Sequence, residues 1–186
     1  MRKDRIELGG FFKSAGVIIV LVISILGTTQ AFGQVPGVTD TSIKIGIFGP
    51  FTGPIALYGK TAHLNDAIFQ EMVNKAGGIH GRKIEPILED DGCEPVKGVA
   101  AVKKLIYQDK VFMLSGGLCS NVVLAAKKEI VQAGVPLVGM GAVADAIYEP
   151  VEKNVFTAFI SASYIARAMV DFGMSKPGVK RVAIIK

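Results

Sequence analysis

Apolar residues fall into two alternating arrangements along this chain. Short apolar-rich stretches at 43–48, 83–89, 111–114, 136–138, 155–159 and 182–185 have the length of strands. Between them, apolar side chains recur at helical spacing. Residues 59–75 put Leu64, Ala67, Ile68 and Met72 on one face, and 96–108 align Val99, Val102 and Ile106. The segment after Ser120 aligns Val123, Ala126, Ile130 and Ala133, and a further helix is expected at 164–172. Gly134 stands where a left-handed glycine closes a helix. Strict alternation predicts an α/β fold: a doubly wound, mainly parallel sheet with helices on both faces. Ligands of such folds sit beyond the carboxyl ends of the strands, where strand order reverses. The loops at that edge are 49–59, 90–95, 116–121, 139–143 and 160–163, and function is expected there.

One apolar run breaks this rhythm. Residues 17–26 follow a basic leader with Arg2, Lys3, Arg5 and Lys13, and precede Gly27, two threonines and Ala31-Phe32-Gly33. That is the layout of a secretory signal, cleaved after Gly33 to leave Gln34 first. The competing reading is an uncleaved membrane anchor, but the dense core is about ten residues where a spanning helix needs about 20. The expected organisation is a signal peptide at 1–33, a short linker at 34–41 and one lobe at 42–186, exported to the periplasm. Much of the mean hydropathy of +0.44 resides in the leader. Set against Asp4 and Glu7, its four basic residues also carry part of the formal net charge of +5. What remains is too evenly balanced for a nucleic-acid surface.

Export changes how the cysteines are read. Cys93 and Cys119 are the only pair, and in an oxidising compartment a disulfide is the default. It would close a loop of about 25 residues, stabilising the fold by on the order of 3 kcal/mol. A metal pair or a nucleophilic thiol lacks support, because His63 and His80 fall in no ligand spacing.

No loop announces catalysis. Gly46-Ile47-Phe48-Gly49-Pro50-Phe51-Thr52-Gly53 is not a dinucleotide fingerprint, and the chain has no P-loop, no nucleophile elbow and no HExxH. The run Glu89-Asp90-Asp91 is expected to be a solvated turn with helix-capping carboxylates rather than a metal site, and the two histidines to serve at the surface or as caps. No enzyme, cofactor or metal is therefore expected. Ser120 and Asn121 open a helix after a glycine pair. Free N–H groups and a partial positive charge suit a carboxylate there, with the Ser120 hydroxyl adding a hydrogen bond. Ser120 capping only its own helix is the alternative, and residue chemistry alone leaves both open.

Several motifs occur in one order: Gly49-Pro50-Phe51-Thr52-Gly53-Pro54, Tyr58-Gly59, Asn74-Lys75-Ala76-Gly77-Gly78-Ile79-His80-Gly81-Arg82-Lys83, Glu89-Asp90-Asp91, Cys93-Glu94-Pro95, Gly117-Leu118-Cys119-Ser120 and Ala133-Gly134-Val135-Pro136. From about residue 42 onward the chain resembles the periplasmic branched-chain amino-acid-binding proteins, the leucine/isoleucine/valine type of substrate-binding subunit for ABC importers. The resemblance implies a type I periplasmic-binding fold of two lobes closing on a ligand, with this chain as the first lobe. It maps the carboxylate-holding serine onto Ser120 and the side-chain pocket tyrosine onto Tyr58. It makes Gly139-Met140-Gly141-Ala142-Val143 the second ligand loop. Val143 stands where the family has threonine and offers no polar side-chain atom. The Gly141 carbonyl and the Val143 amide remain as candidates. Where the family often has an arginine and a Ser-Asp, this chain reads Thr157-Ala158-Phe159-Ile160-Ser161-Ala162-Ser163. The expected site is thus Tyr58, Ser120, Asn121, Gly141, Ala142, Val143, Ser161 and Ser163. The expected ligand is a carboxylate with an apolar or aromatic body, or another amino-acid-like molecule.

The implied function is non-catalytic: a monomer that captures a small solute and presents it to ABC permease membrane subunits. A sensor module of the same fold, feeding a receptor or regulator, is the alternative; a Rossmann-like oxidoreductase ranks below both. The second lobe is missing, which reads as a fragment or a truncated reading frame. A lone lobe offers half a site and cannot close, so weak binding and poor solubility are expected of it.

Overall fold

In the computed structural model, residues 35–181 and 183 are described; the expected leader, and all but Ala183 of the strand expected at 182–185, lie outside the described residues. Five strands form one parallel sheet: β1 (Ser42–Gly49), β2 (Lys83–Asp90), β3 (Met113–Gly116), β4 (Leu137–Gly139) and β5 (Val155–Thr157). Their order is β2-β1-β3-β4-β5, with β1 flanked along its whole length by β2 in the register Ser42↔Lys83 to Gly49↔Asp90. The helices are α1 (Ala56–Lys75), α2 (Pro95–Lys103), α3 (Ser120–Ala133), the short α4 (Asp145–Tyr148) and α5 (Ala162–Met174). A wider π-helical turn, Lys104–Gln108, continues α2. The step from β1 to β2 runs one way along the sheet and the later steps run the other. Right-handed crossovers therefore put α1 on one face and α2 and α3 on the other.

The core lies on the α2–α3 side. Phe48, Leu105, Leu114, Val122, Ile130 and Leu137 are all buried there. Gly98 lets the two helices touch, since a Cβ there would come within 2.3 Å of Val122. Gly134 closes α3 with φ 69, the left-handed turn expected of it. The buried Asn154 amide then donates to the carbonyls of Ile130 and Val135, fastening the end of α3 to the start of β5.

The apolar face expected of 59–75 does not meet the sheet. Gly59, Asp66, Gln70 and Asn74 turn inward instead, and Leu64, Ile68 and Met72 are exposed. Two close contacts set this rotation. A Cβ on Gly59 would lie 2.2 Å from the Pro50 carbonyl oxygen, so only glycine fits where α1 crosses the first loop. Fifteen residues on, the Asn74 side chain grips β2 by accepting from the Ile84 N–H at 2.7 Å and donating to its carbonyl at 2.9 Å.

Smaller differences have equally local causes. Residues 35–41, expected as a linker, fold back along β1, with the Lys44 N–H donating to the Gly37 carbonyl. β3 begins at Met113 rather than 111, because the Val111 N–H closes the preceding turn onto the Leu105 carbonyl. β5 stops at Thr157, whose hydroxyl oxygen accepts from the Phe159 N–H and bends the chain away. α5 contains no buried residue, and Tyr164, Met169 and Phe172 stand exposed on it.

Candidate functional site

Strand order reverses between β1 and β3, so the crevice opens between the loop after β1 and the turn into α3. Backbone geometry shapes that turn. Gly116 has φ +125, and a Cβ there would sit 2.0 Å from the Phe48 carbonyl oxygen. Only glycine lets β3 end against β1 and lead directly into α3.

Ser120 is the first residue of α3, and its hydroxyl oxygen accepts from the N–H groups of Val143 and Ala144 at 3.1 and 3.3 Å. The hydroxyl thus ties α3 to the loop after β4 rather than capping its own helix. The Val122 and Val123 N–H groups turn back to the Cys119 carbonyl. Those of Ser120 and Asn121, at the first two helical positions, have no intrahelical acceptor. The Asn121 amide donates to the Cys93 carbonyl at 3.2 Å, bracing the helix start against the neighbouring turn.

The loop after β4, expected to be the second ligand loop, is largely engaged by neighbouring segments. Ala142 is fully buried; its N–H donates to the Gly117 carbonyl and its carbonyl accepts from the Tyr148 hydroxyl. The Val143 carbonyl accepts from the Ala162 N–H, bringing the segment after β5 alongside. Gly141 packs on Leu118, where a Cβ would approach to 2.5 Å. Ser161 precedes α5, and its buried hydroxyl lies beside the Asp145 carboxylate, adding to the effect of Ser163 there. Ser163 donates through both its hydroxyl and its N–H to Asp145, and the hydroxyl contact holds that carboxyl below its usual value. The expected residues Ser120, Gly141, Ala142, Val143, Ser161 and Ser163 are thus brought to adjoining segments, while the Asn121 side chain engages the Cys93 turn instead. Tyr58 stands exposed in the first turn of α1, with no side-chain hydrogen bond to that group among the described residues.

Cys93 and Cys119 are bonded, with Cα atoms 5.6 Å apart. They follow β2 and β3, the two neighbours of β1, so the bridge spans the end of β1 and both turns lean inward to meet.

The acidic run departs from expectation. Asp90 does not cap a helix; its carboxylate accepts from the N–H groups of Phe51, Thr52 and Gly92 and from the Thr52 hydroxyl. Desolvation pushes this carboxyl up, yet the hydrogen bonds from Thr52, Gly92 and Phe51 outweigh it and hold the group below the usual carboxylate value. Asp91 is fully buried, accepts from the Cys93 N–H, and is pushed up by burial. Glu89 pairs with Lys104 on α2's π-helical extension. The sequence hint was the Asp90-Asp91-Gly92 turn itself, whose side chains commonly bond nearby backbone. His63 is half-buried on α1, edge-on to Phe51 at 5.7 Å, with Nδ1 buried. Among the described residues, no group of three or more His, Cys, Asp or Glu side chains could hold a metal ion.

The family model described as periplasmic binding protein matches residues 42–186. A leucine-, isoleucine-, valine-, threonine- and alanine-binding protein of Pseudomonas aeruginosa is 34% identical over 115 residues, 62% of this chain and 31% of that one. A solute-binding protein of an ABC transporter from Rhodopseudomonas palustris, solved with 3,4-dihydroxybenzoic acid, superposes with a TM-score of 0.56 at 30% identity, covering 64% of this chain and 32% of that one. A fatty acid ABC transporter substrate-binding protein from Thermomonospora curvata does so with a TM-score of 0.71 at 29% identity, covering 80% and 37%. The chain spans about a third of the length of the curated relatives it matches. With the family model matching most of its length and the parallel sheet closed by the bridge across β1, this chain belongs to the periplasmic binding protein family.

Proposed function

We propose that this chain forms the first lobe of an exported, periplasmic solute-binding protein of an ABC importer. Its solute is a small carboxylate with an apolar or aromatic body, passed on to the membrane permease. The observation that carries this reading is the state of Ser120. Its oxygen already accepts two N–H groups, so the hydroxyl is left to act as a donor. Beside it lie the free N–H groups of Ser120 and Asn121 at the positive end of α3. Three donors at the positive end of a helix suit a carboxylate. Val143 offers no polar side-chain atom to a ligand ammonium, leaving the Gly141 carbonyl to that task. Tyr58 in the first turn of α1 and Phe159 in the segment after β5, both exposed, supply apolar surface. The ligands named for the compared proteins, from branched-chain amino acids to a dihydroxybenzoic acid and fatty acids, share a carboxylate.

Isothermal titration of the full-length mature protein against leucine, an aromatic acid and the corresponding amide tests this. The acid is expected to bind at least about tenfold more tightly than the amide, and Ser120→Ala to weaken it by a further factor of about ten. Equal affinity for acid and amide overturns the carboxylate reading. A strong preference for leucine overturns the argument from Val143 that the site departs from recognition of a free α-amino acid.

A further inference from the structure

Three consecutive residues in the loop after β4 hold two other segments at once. The N–H groups of Val143 and Ala144 donate to the Ser120 oxygen at 3.1 and 3.3 Å. On the other side, the Val143 carbonyl accepts from the Ala162 N–H, and the Asp145 carboxylate accepts from the Ser163 hydroxyl and, at 3.4 Å, its N–H. The buried Ser161 hydroxyl lies beside the same carboxylate. Asp145 therefore stands at the N-terminal end of α5, where the partial positive charge of the helix favours a carboxylate. Ser163, Ser161 and, after them, the Arg167 charge keep this carboxyl below its usual value, so it is ionised at neutral pH.

Packing anchors the stretch at its two ends, where Ala142 and Ile147 are fully buried. Between them Val143, Ala144 and Asp145 are half-buried, and Asp145 brings the only hydrogen-bonding side chain. The contacts to Ser120 have little slack. They lie at the long end of the N–H···O range, and a shift of about 0.5 Å in the loop breaks them. A serine hydroxyl rotates to suit its neighbours. With its lone pairs taken by Val143 and Ala144, the Ser120 proton is left for the solute; without them, the hydroxyl is free to turn elsewhere. We propose that Asp145 is a positioning residue for solute recognition. By holding the start of α5, its carboxylate keeps the Val143 and Ala144 amides on Ser120, and thereby the Ser120 hydroxyl on the solute carboxylate. Asp145 acts without touching the solute, and its role rests on Ser120 as the carboxylate donor.

Isothermal titration of the full-length mature protein with 4-hydroxybenzoate and its amide compares the wild type, Asp145→Asn, Ser120→Ala and the pair together. Asp145→Asn is expected to weaken binding of the acid about fivefold and of the amide less than about twofold. In the Ser120→Ala background the same change is expected to alter acid affinity less than about twofold, because its effect passes through the missing hydroxyl. Ser163→Ala removes the donor opposite Asp145 and is expected to show the same dependence on Ser120, at about threefold. That variant decides the matter if Asp145→Asn lowers the urea midpoint. Unchanged acid affinity in both variants overturns the inference. So does an equal loss for acid and amide, or an equal loss with and without the Ser120 hydroxyl, since either marks Asp145 as part of the scaffold only. An acid that the wild type binds no more tightly than its amide overturns the carboxylate reading of Ser120, and this role with it.

Discussion

α3 and α1 pack on opposite faces of the same sheet, and they do so by opposite means. α3 buries Val122, Val123, Ala126 and Ile130, each at most 1% exposed, and its apolar stripe is its contact face. α1 puts glycine, histidine, aspartate and glutamine toward the sheet and is held by a few specific contacts: Gly59 under Pro50, Asn74 on Ile84, and Lys83 reaching the Asn74 carbonyl. Helical spacing of apolar residues therefore shows that a helix has a face, but not what that face meets. Rotation about the helix axis is decided by close approaches, and one glycine and one asparagine suffice to set it.

The contrast can be broken at several points. Ile130→Ala is expected to lower the urea-unfolding free energy by about 3 kcal/mol, because it opens a cavity in the dense side of the sheet. Replacing Cys93 and Cys119 together by serine is expected to cost about as much, read as a lower urea midpoint that reductant no longer shifts. Asp90→Ala, which frees the Phe51 and Thr52 N–H groups, is expected to cost about 2 kcal/mol. Because the Asp90 carboxyl titrates below its usual value, its contribution is present above roughly pH 4 and fades as pH falls through the folded value. Asp90→Asn is accordingly expected to flatten the acid limb of a stability profile, and an unchanged limb would assign it to other carboxylates.

Under α1 the expected sign reverses. Gln70 is nine-tenths buried with no side-chain hydrogen bond among the described residues, so Gln70→Leu is expected to stabilise by about 1 kcal/mol. A loss would reveal a partner for that amide. Leu64→Ala, measured in dilute solution, is expected to stay within about 0.5 kcal/mol of the parent. A loss matching that of Ile130→Ala would erase the difference between the two faces.

What was readable in advance follows the same division. The parallel alternation of strands and helices, the covalent pairing of Cys93 with Cys119 and the helix stop at Gly134 rest on local chemistry or on patterns with few alternatives, and each was foreseen. The rotation of α1 was not, because the hydrophobic pattern pointed the other way and the deciding contacts join residues far apart in sequence. Asp90 was misread for a related reason. Its partners, Phe51 and Thr52, lie 38 to 39 positions away and become neighbours only when β2 pairs with β1. Within the site, the serine at the start of α3 was legible from its motif. Its engagement by the Val143 and Ala144 amides, and the hold of Asp145 on Ser163, required the three strand ends to be assembled.

One consequence of the disulfide is mechanical. Thr52 is held by Asp90, Asp90 leads through Gly92 to Cys93, and Cys93 is bonded to Cys119, the residue before Ser120. The two walls of the crevice are thus joined by a short tie-rod, mostly of covalent bonds, passing over the end of β1. A crevice braced in this way widens only if the Asp90 hydrogen bonds give, because the rest of the link, from Asp90 through the bridge to Ser120, is covalent.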